Sequence, residues 1–180
     1  VIYYLTSLAR MLIATPTLLD SLFPVTTTNA NLFGPQELIE LYFQKFDHVN
    51  QLLWKKVWCT FLLSLLPPVG GIYAQHILKG MDQTVNICVD YINDEKFRGS
   101  DFLLAHNIDD QADVAPEVGR EPYEAALMKE IQSDSICTSD IKAVVRIKME
   151  ACAAALGREA HEECMSSVEP VLLKQLQDLV

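Results

Sequence analysis

Residues 57–74, VWCTFLLSLLPPVGGIYA, decide the fold. No charge falls anywhere in the stretch, and no other part of the chain is as apolar for as long. Lys55 and Lys56 stand just before it; Gln75, His76 and Lys79 follow it. A helix that is apolar on every side is buried either in protein or in lipid. Which of the two holds here sets the broad class of the protein.

Upstream, Ile39, Tyr42, Phe46, Val49, Leu53, Val57 and Thr60 step by three and four. That spacing is one continuous stripe at helical period, and it predicts a single long helix over about 35–66, the spine of the molecule. Gly34-Pro35 primes its start, since proline suits a first turn, and Glu37 and Glu40 favour the positive end of the helix dipole. Gln44, Lys45, Asp47, Asn50 and Gln51 fall mostly on the opposite, solvated side. From Val57 onward the polar face disappears. Trp54 and Trp58 straddle the change beside Lys55 and Lys56, an aromatic and basic edge of the kind found at membrane interfaces.

Pro67-Pro68 and Gly70-Gly71 then interrupt the run. Proline removes backbone donors and blocks the preceding turn, so a straight helix over 57–74 is not expected. Three readings remain: a kinked membrane-embedded segment at 57–78, a helical hairpin with its tip at PPVGG, or a sharp corner in a helical core. Beyond the break, residues 72–91 read as one helix with Ile72, Ile77, Met81, Val85, Cys88 and Val89 inward.

The flanks are helical as well. Residues 2–14 predict a helix and Thr17 caps a shorter one through Phe23. Arg10, Pro16 and Asp20 make 1–24 a poor membrane span, because a span needs about 20 apolar residues. NDEKFRG at 93–99 reads as a polar turn, 106–122 as irregular and 121–133 as a helix. A helix over Asp140–Leu156 is expected to be capped by Thr138 or Ser139 and stopped by Gly157; Lys148 interrupts its apolar stripe. Glu169-Pro170 opens the final helix. There is no strand pattern and no internal repeat, so the expected fold is all-α, with about seven helices.

At 180 residues the chain can bury roughly 70% of its unfolded surface. Its charge is uneven. Arg10, Lys45, Lys55, Lys56 and Lys79 balance Asp20, Glu37, Glu40, Asp47 and Asp82 within residues 1–89, so the net charge of −10 lies in the remainder. Two regions follow: 1–92, apolar and docking against membrane or core, and 93–180, acidic and helical. Lys55-Lys56 is the one adjacent basic pair, which argues against a nucleic-acid partner. An acidic half keeps a chain dissolved or faces a basic protein. The chain starts at Val1 with no basic leader region; the reading is that any targeting peptide has already gone.

Chemistry is sparse. Asp109, Asp110 and Asp113 lack the alternation, central glycine and closing glutamate of a calcium loop. His161 and Cys164 share one helical face but have no second ligand pair, so no zinc site is assigned. His48, His76 and His106 are isolated. Walker, dinucleotide, nucleophile-elbow and metalloprotease motifs are missing. No catalytic, cofactor or metal residue is therefore assigned, and the reading leans against an enzyme. Cys59 and Cys88 read as small core residues. Cys152 and Cys164 flank Gly157 and, if their helices fold back as a hairpin, form a disulfide.

The expectation is a non-catalytic scaffolding subunit of a membrane complex, membrane-associated, with an organellar inner membrane as its setting, with other protein subunits and lipid as partners and no small-molecule substrate. Trp54, Trp58, Phe61, Leu62, Leu65, Leu66, Ile72 and Tyr73 would contact lipid or a hydrophobic ligand. The alternative is an all-α carrier of a lipid or similar ligand, with Tyr42, Phe43, Phe46, Trp54 and Trp58 lining its pocket.

Overall fold

The computed structural model describes residues 1–15, 18–23, 34–67, 72–98, 126 and 129–180; of 19, 20, 72–75 and 98 it describes the backbone alone. Among these the regular structure is all helical: α1 (Ile2–Ala14), α2 (Leu18–Leu22), α3 (Pro35–Lys45), α4 (Leu52–Ser64), α5 (Ile72–Lys79), α6 (Met81–Arg98), α7 (Ser135–Thr138), α8 (Ile141–Leu156), α9 (Arg158–Ser166) and α10 (Pro170–Leu179). Residues 129–133 are also helical.

The expected spine is broken. α3 ends at Lys45, a 3-10 turn follows over Phe46–His48, and Val49 and Gln51 are extended before α4 begins. Phe46 and Val49 are both buried despite the break, so the apolar stripe survives while the helix does not. The second expected helix also divides, at Gly80, into α5 and α6. In exchange, α6 continues through 93–98, where a turn is expected. α8 keeps its predicted bounds, but its N-cap is Asp140, whose carboxylate accepts from the amides of Lys142 and Ala143. Gly157 ends it with φ of +78°, a left-handed conformation that favours glycine.

α4 is the centre. It packs against α1, α6, α7 and α8, and Val57, Trp58, Cys59, Phe61, Leu62 and Leu63 are all fully buried. α1 meets it through Leu5, Ala9 and Leu12, spaced as one helical face. Trp58 Nε1 donates to Thr6 Oγ1 at 2.8 Å, and that hydroxyl donates to Ile2 O. Tyr42 from α3 stands edge-on to Trp58 at 4.9 Å between centroids, packs against Phe61, and donates to Leu5 O at 2.7 Å. Burial pushes its phenol well up. On the α6 side, the thiols of Cys59 and Cys88 meet at 3.4 Å. α6 in turn carries α10, so α1, α4, α6 and α10 form a row of neighbours, with α8 laid against α4 and α6.

The lysines that resemble a membrane edge are spent within the protein. Lys55 Nζ bridges Asp90 and Asp94, one turn apart on α6, at 2.7 and 2.6 Å, and lies over the Phe46 ring. Burial opposes its charge, but the two carboxylates outweigh that and hold its pKa above the ordinary lysine value. Lys56 is 3% exposed and donates to Cys137 O at the end of α7; burial lowers its pKa. Lys148, the interruption in the α8 stripe, donates to Leu66 O, just past the end of α4. Cations at helix carbonyl ends are favourable partners. Arg10 fixes the other end of α7 by pairing with Asp134 at 2.6 Å.

Candidate functional site

A groove opens between α3 on one side and the α5–α6 corner on the other. α3 presents Gln36, Glu40 and Gln44, spaced by four, and Asp47 follows in the 3-10 turn. Facing them are His76, Lys79, Gln83 and Asn86. Ile39, Phe43, Phe46 and Ile87 form the apolar floor, and the volume is about 540 Å³. The rim side chains Gln36, Glu40, Gln44, Asp47, Lys79, Gln83 and Asn86 are exposed.

The local sequence explains the shape. The stripe spaced by four projects from one face of α3 while Leu38, Ile39 and Tyr42 are buried. Gly34 N donates to Glu37 Oε2, which fixes the first turn. Across the groove, Gly80 is needed for close approach: a Cβ there would sit 2.4 Å from the Phe43 ring. Its absence lets the ring lie against the α5–α6 corner. Thr84 Oγ1 and Thr84 N both donate to Gly80 O, so the corner is tied to α6.

Chemically the rim is mixed. Gln44, Gln83 and Asn86 each offer donors and an acceptor; the Gln36 amide already donates to Glu40 at 2.7 Å. An apolar floor beneath a carboxamide rim suits a polypeptide segment, whose backbone needs both donors and acceptors satisfied. Among the described residues, no group of three or more His, Cys, Asp or Glu is placed to hold a metal.

The residues singled out from sequence go elsewhere. Trp58, Phe61, Leu62 and Leu66 lie in the core, while Trp54 and Leu65 are partly buried against it, Trp54 beneath the edge of Tyr3. Ile72 and Tyr73 are in α5, with side chains outside the described residues. Cys152 and Cys164 are both free thiols; Cys164 Sγ lies 3.6 Å from Leu78 O. His161 Nε2 is buried without a hydrogen-bond partner. His106 and the aspartates of 109–113 lie outside the described residues. Sequence reasoning took Gln44 and Asp47 for a solvated face and passed over Gln83 and Asn86. The available signal was the Gln36, Glu40, Gln44 stripe.

α1, α4, α6 and α10 stand side by side, each packed on the next, an arrangement compatible with stacked helical repeats. The chain belongs to the family described as importin-11-like, TPR repeats, whose model matches residues 2–180. Neither the curated proteins nor the solved structures contain a match.

The family match overturns the expectation of a membrane-complex subunit and its lipid-carrying alternative. Among the described residues no helix is long and apolar enough to cross a membrane. The kinked segment expected at 57–78 is instead α4 and α5, of 13 and 8 residues, and Val57–Leu63 is covered by other helices rather than by lipid.

Proposed function

We propose that this chain is a protein-binding module of the helical-repeat type, and that the α3/α5/α6 groove receives a segment of a partner polypeptide. The observation that carries the reading is the groove itself: an apolar floor of Ile39, Phe43 and Ile87 beneath a rim of carboxamides. Repeat proteins use extended concave surfaces of this kind, and the family supplies the repeat architecture.

A displayed library of random peptides, panned on the protein, tests it. Enrichment is expected on the wild type and is expected to be lost on a Gln44→Ala/Gln83→Ala variant that melts at the same temperature. No enrichment, or enrichment indifferent to that variant, overturns the reading.

A further inference from the structure

Beneath the groove, α4 and α6 meet at a pair of thiols. Cys59 on α4 and Cys88 on α6 have no exposure, and their Sγ atoms lie 3.4 Å apart. The other cysteines are free as well, but Cys137 Sγ accepts from Arg10 and Cys164 Sγ lies against Leu78 O. Among the described residues no other two thiols share a hydrogen bond.

Both sulfurs are carried on helices, not loops. Cys59 shares the buried side of α4 with Leu62 and Leu63, and Cys88 lies between Val85 and Ile92 on α6; all are fully buried. One turn before Cys59, Lys55 clasps Asp90 and Asp94. A step of one turn forward along α4, from Lys55 to Cys59, is thus a step of about one turn back along α6, from the aspartates to Cys88. The two helices run antiparallel, and the clasp fixes their register next to the thiols. A disulfide holds its sulfurs about 2.05 Å apart, so bonding asks these two to approach by roughly 1.4 Å. In the resting protein the neighbouring thiol and burial both hold Cys59 well above its ordinary pKa. The thiolate is the reactive form, so the pair stays reduced while the core is shut and reacts through openings that part α6 from α4.

We infer that Cys59 and Cys88 are a latent disulfide, a redox switch that bonds α4 to α6 when a peroxide oxidises the pair. One sulfur attacks a peroxide oxygen, the O–O bond breaks, and a sulfenic acid and a water form. The second sulfur attacks the first, the S–O bond breaks, and the hydroxyl leaves as water with the second thiol's proton. Two thiols thereby give two electrons and two protons to one hydrogen peroxide, which ends as two waters. Exchange with a small thiol reverses the bond. The bond closes residues 59–88 into a ring that contains α5 and the Gly80 corner, and it narrows the freedom of the unfolded chain.

Hydrogen peroxide added to the reduced full chain under native conditions tests it. Peptide mapping by mass spectrometry is expected to find Cys59 linked to Cys88, with no oxygen added to either. The melting temperature of the oxidised chain is expected to rise by about 5 °C or more, and dithiothreitol is expected to reverse the rise. A Cys88→Ala chain treated in the same way is expected to show no rise; if that variant does not fold, the peptide map of the wild type decides alone. A pair that stays reduced, whether or not Cys137 and Cys164 oxidise, overturns the inference. So does a Cys59–Cys88 bond that forms only in denaturant, or one that leaves the melting temperature unchanged or lowers it, because such a bond does not lock the folded core.

Discussion

α4 and α9 are two helices of modest length with opposite fates. α4 has neighbours on nearly every side, and only Ser64 is exposed. α9 buries none of its residues fully and carries Arg158 and Glu162 as an exposed pair at 2.8 Å. The difference is one of neighbours. α1, α6, α7 and α8 surround α4, whereas α9 rests along α8 and α6 and leaves the rest to water. Apolarity around a whole helix therefore measures how many helices enclose it, and here that enclosure is protein.

The comparison breaks most easily at Trp58. Trp58→Ala empties a site with no exposure and removes the ring that Tyr42 and Phe46 pack against. A loss of about 3–5 kcal/mol in denaturant unfolding is expected. A loss under about 1 kcal/mol would mean that the flank of α4 is solvated, unlike any enclosed core site.

Thr6→Val sharpens it. The shape is kept, but Trp58 Nε1 loses its acceptor, at an expected cost of about 1–3 kcal/mol. In a Trp58→Phe background the same substitution should cost much less. Equal costs in both backgrounds would show that the hydrogen bond is not the cause.

Arg10→Ala tests the tie between α1 and α7. Burial pushes the Asp134 carboxyl up, but the Ile136 amide and the Arg10 guanidinium outweigh it and hold the pKa below the ordinary value. A depressed carboxyl stabilises the fold above its unfolded pKa, about 3.9, and that contribution fades as pH falls through the lower folded pKa. Wild type should thus exceed Arg10→Ala in stability near neutrality, by about 1 kcal/mol or less given the partial exposure. The gap should close in acid; a gap that persists there rules out Asp134 as its origin.

Glu162→Ala should do least. Both partners of its pair are exposed, at 89% and 63%, and a change within about 0.5 kcal/mol is expected from thermal melts. A larger loss would show that α9 is enclosed after all.

Much of the fold was legible where a residue has only one use. Pro35, Gly157 and Pro170 set the start of α3, the end of α8 and the start of α10. The Val57 stretch announced burial but not the medium, because a core helix and a lipid-facing helix look alike in composition. Trp54, Lys55 and Lys56 then pointed to lipid because the partners, Tyr3 for Trp54, Asp90 and Asp94 for Lys55 and Cys137 for Lys56, are distant in sequence. The break at 46–51 was hidden by Phe46 and Val49, which keep the helical spacing while a 3-10 turn redirects the chain. Of the groove, the α3 wall was visible as a stripe, but its pairing with Gln83 and Asn86 depends on how the Gly80 corner folds, which spacing does not encode.

Lys148 reaches Leu66 O across 82 positions, and Lys56 reaches Cys137 O across 81. On a ribosome these separations become time. At about 5–20 residues per second, roughly 4–16 s pass between the emergence of Leu66 and that of Lys148. Through that interval one flank of the central, apolar α4 waits for its cover, so the nascent chain stays open to aggregation, and to a chaperone, until α8 has been made.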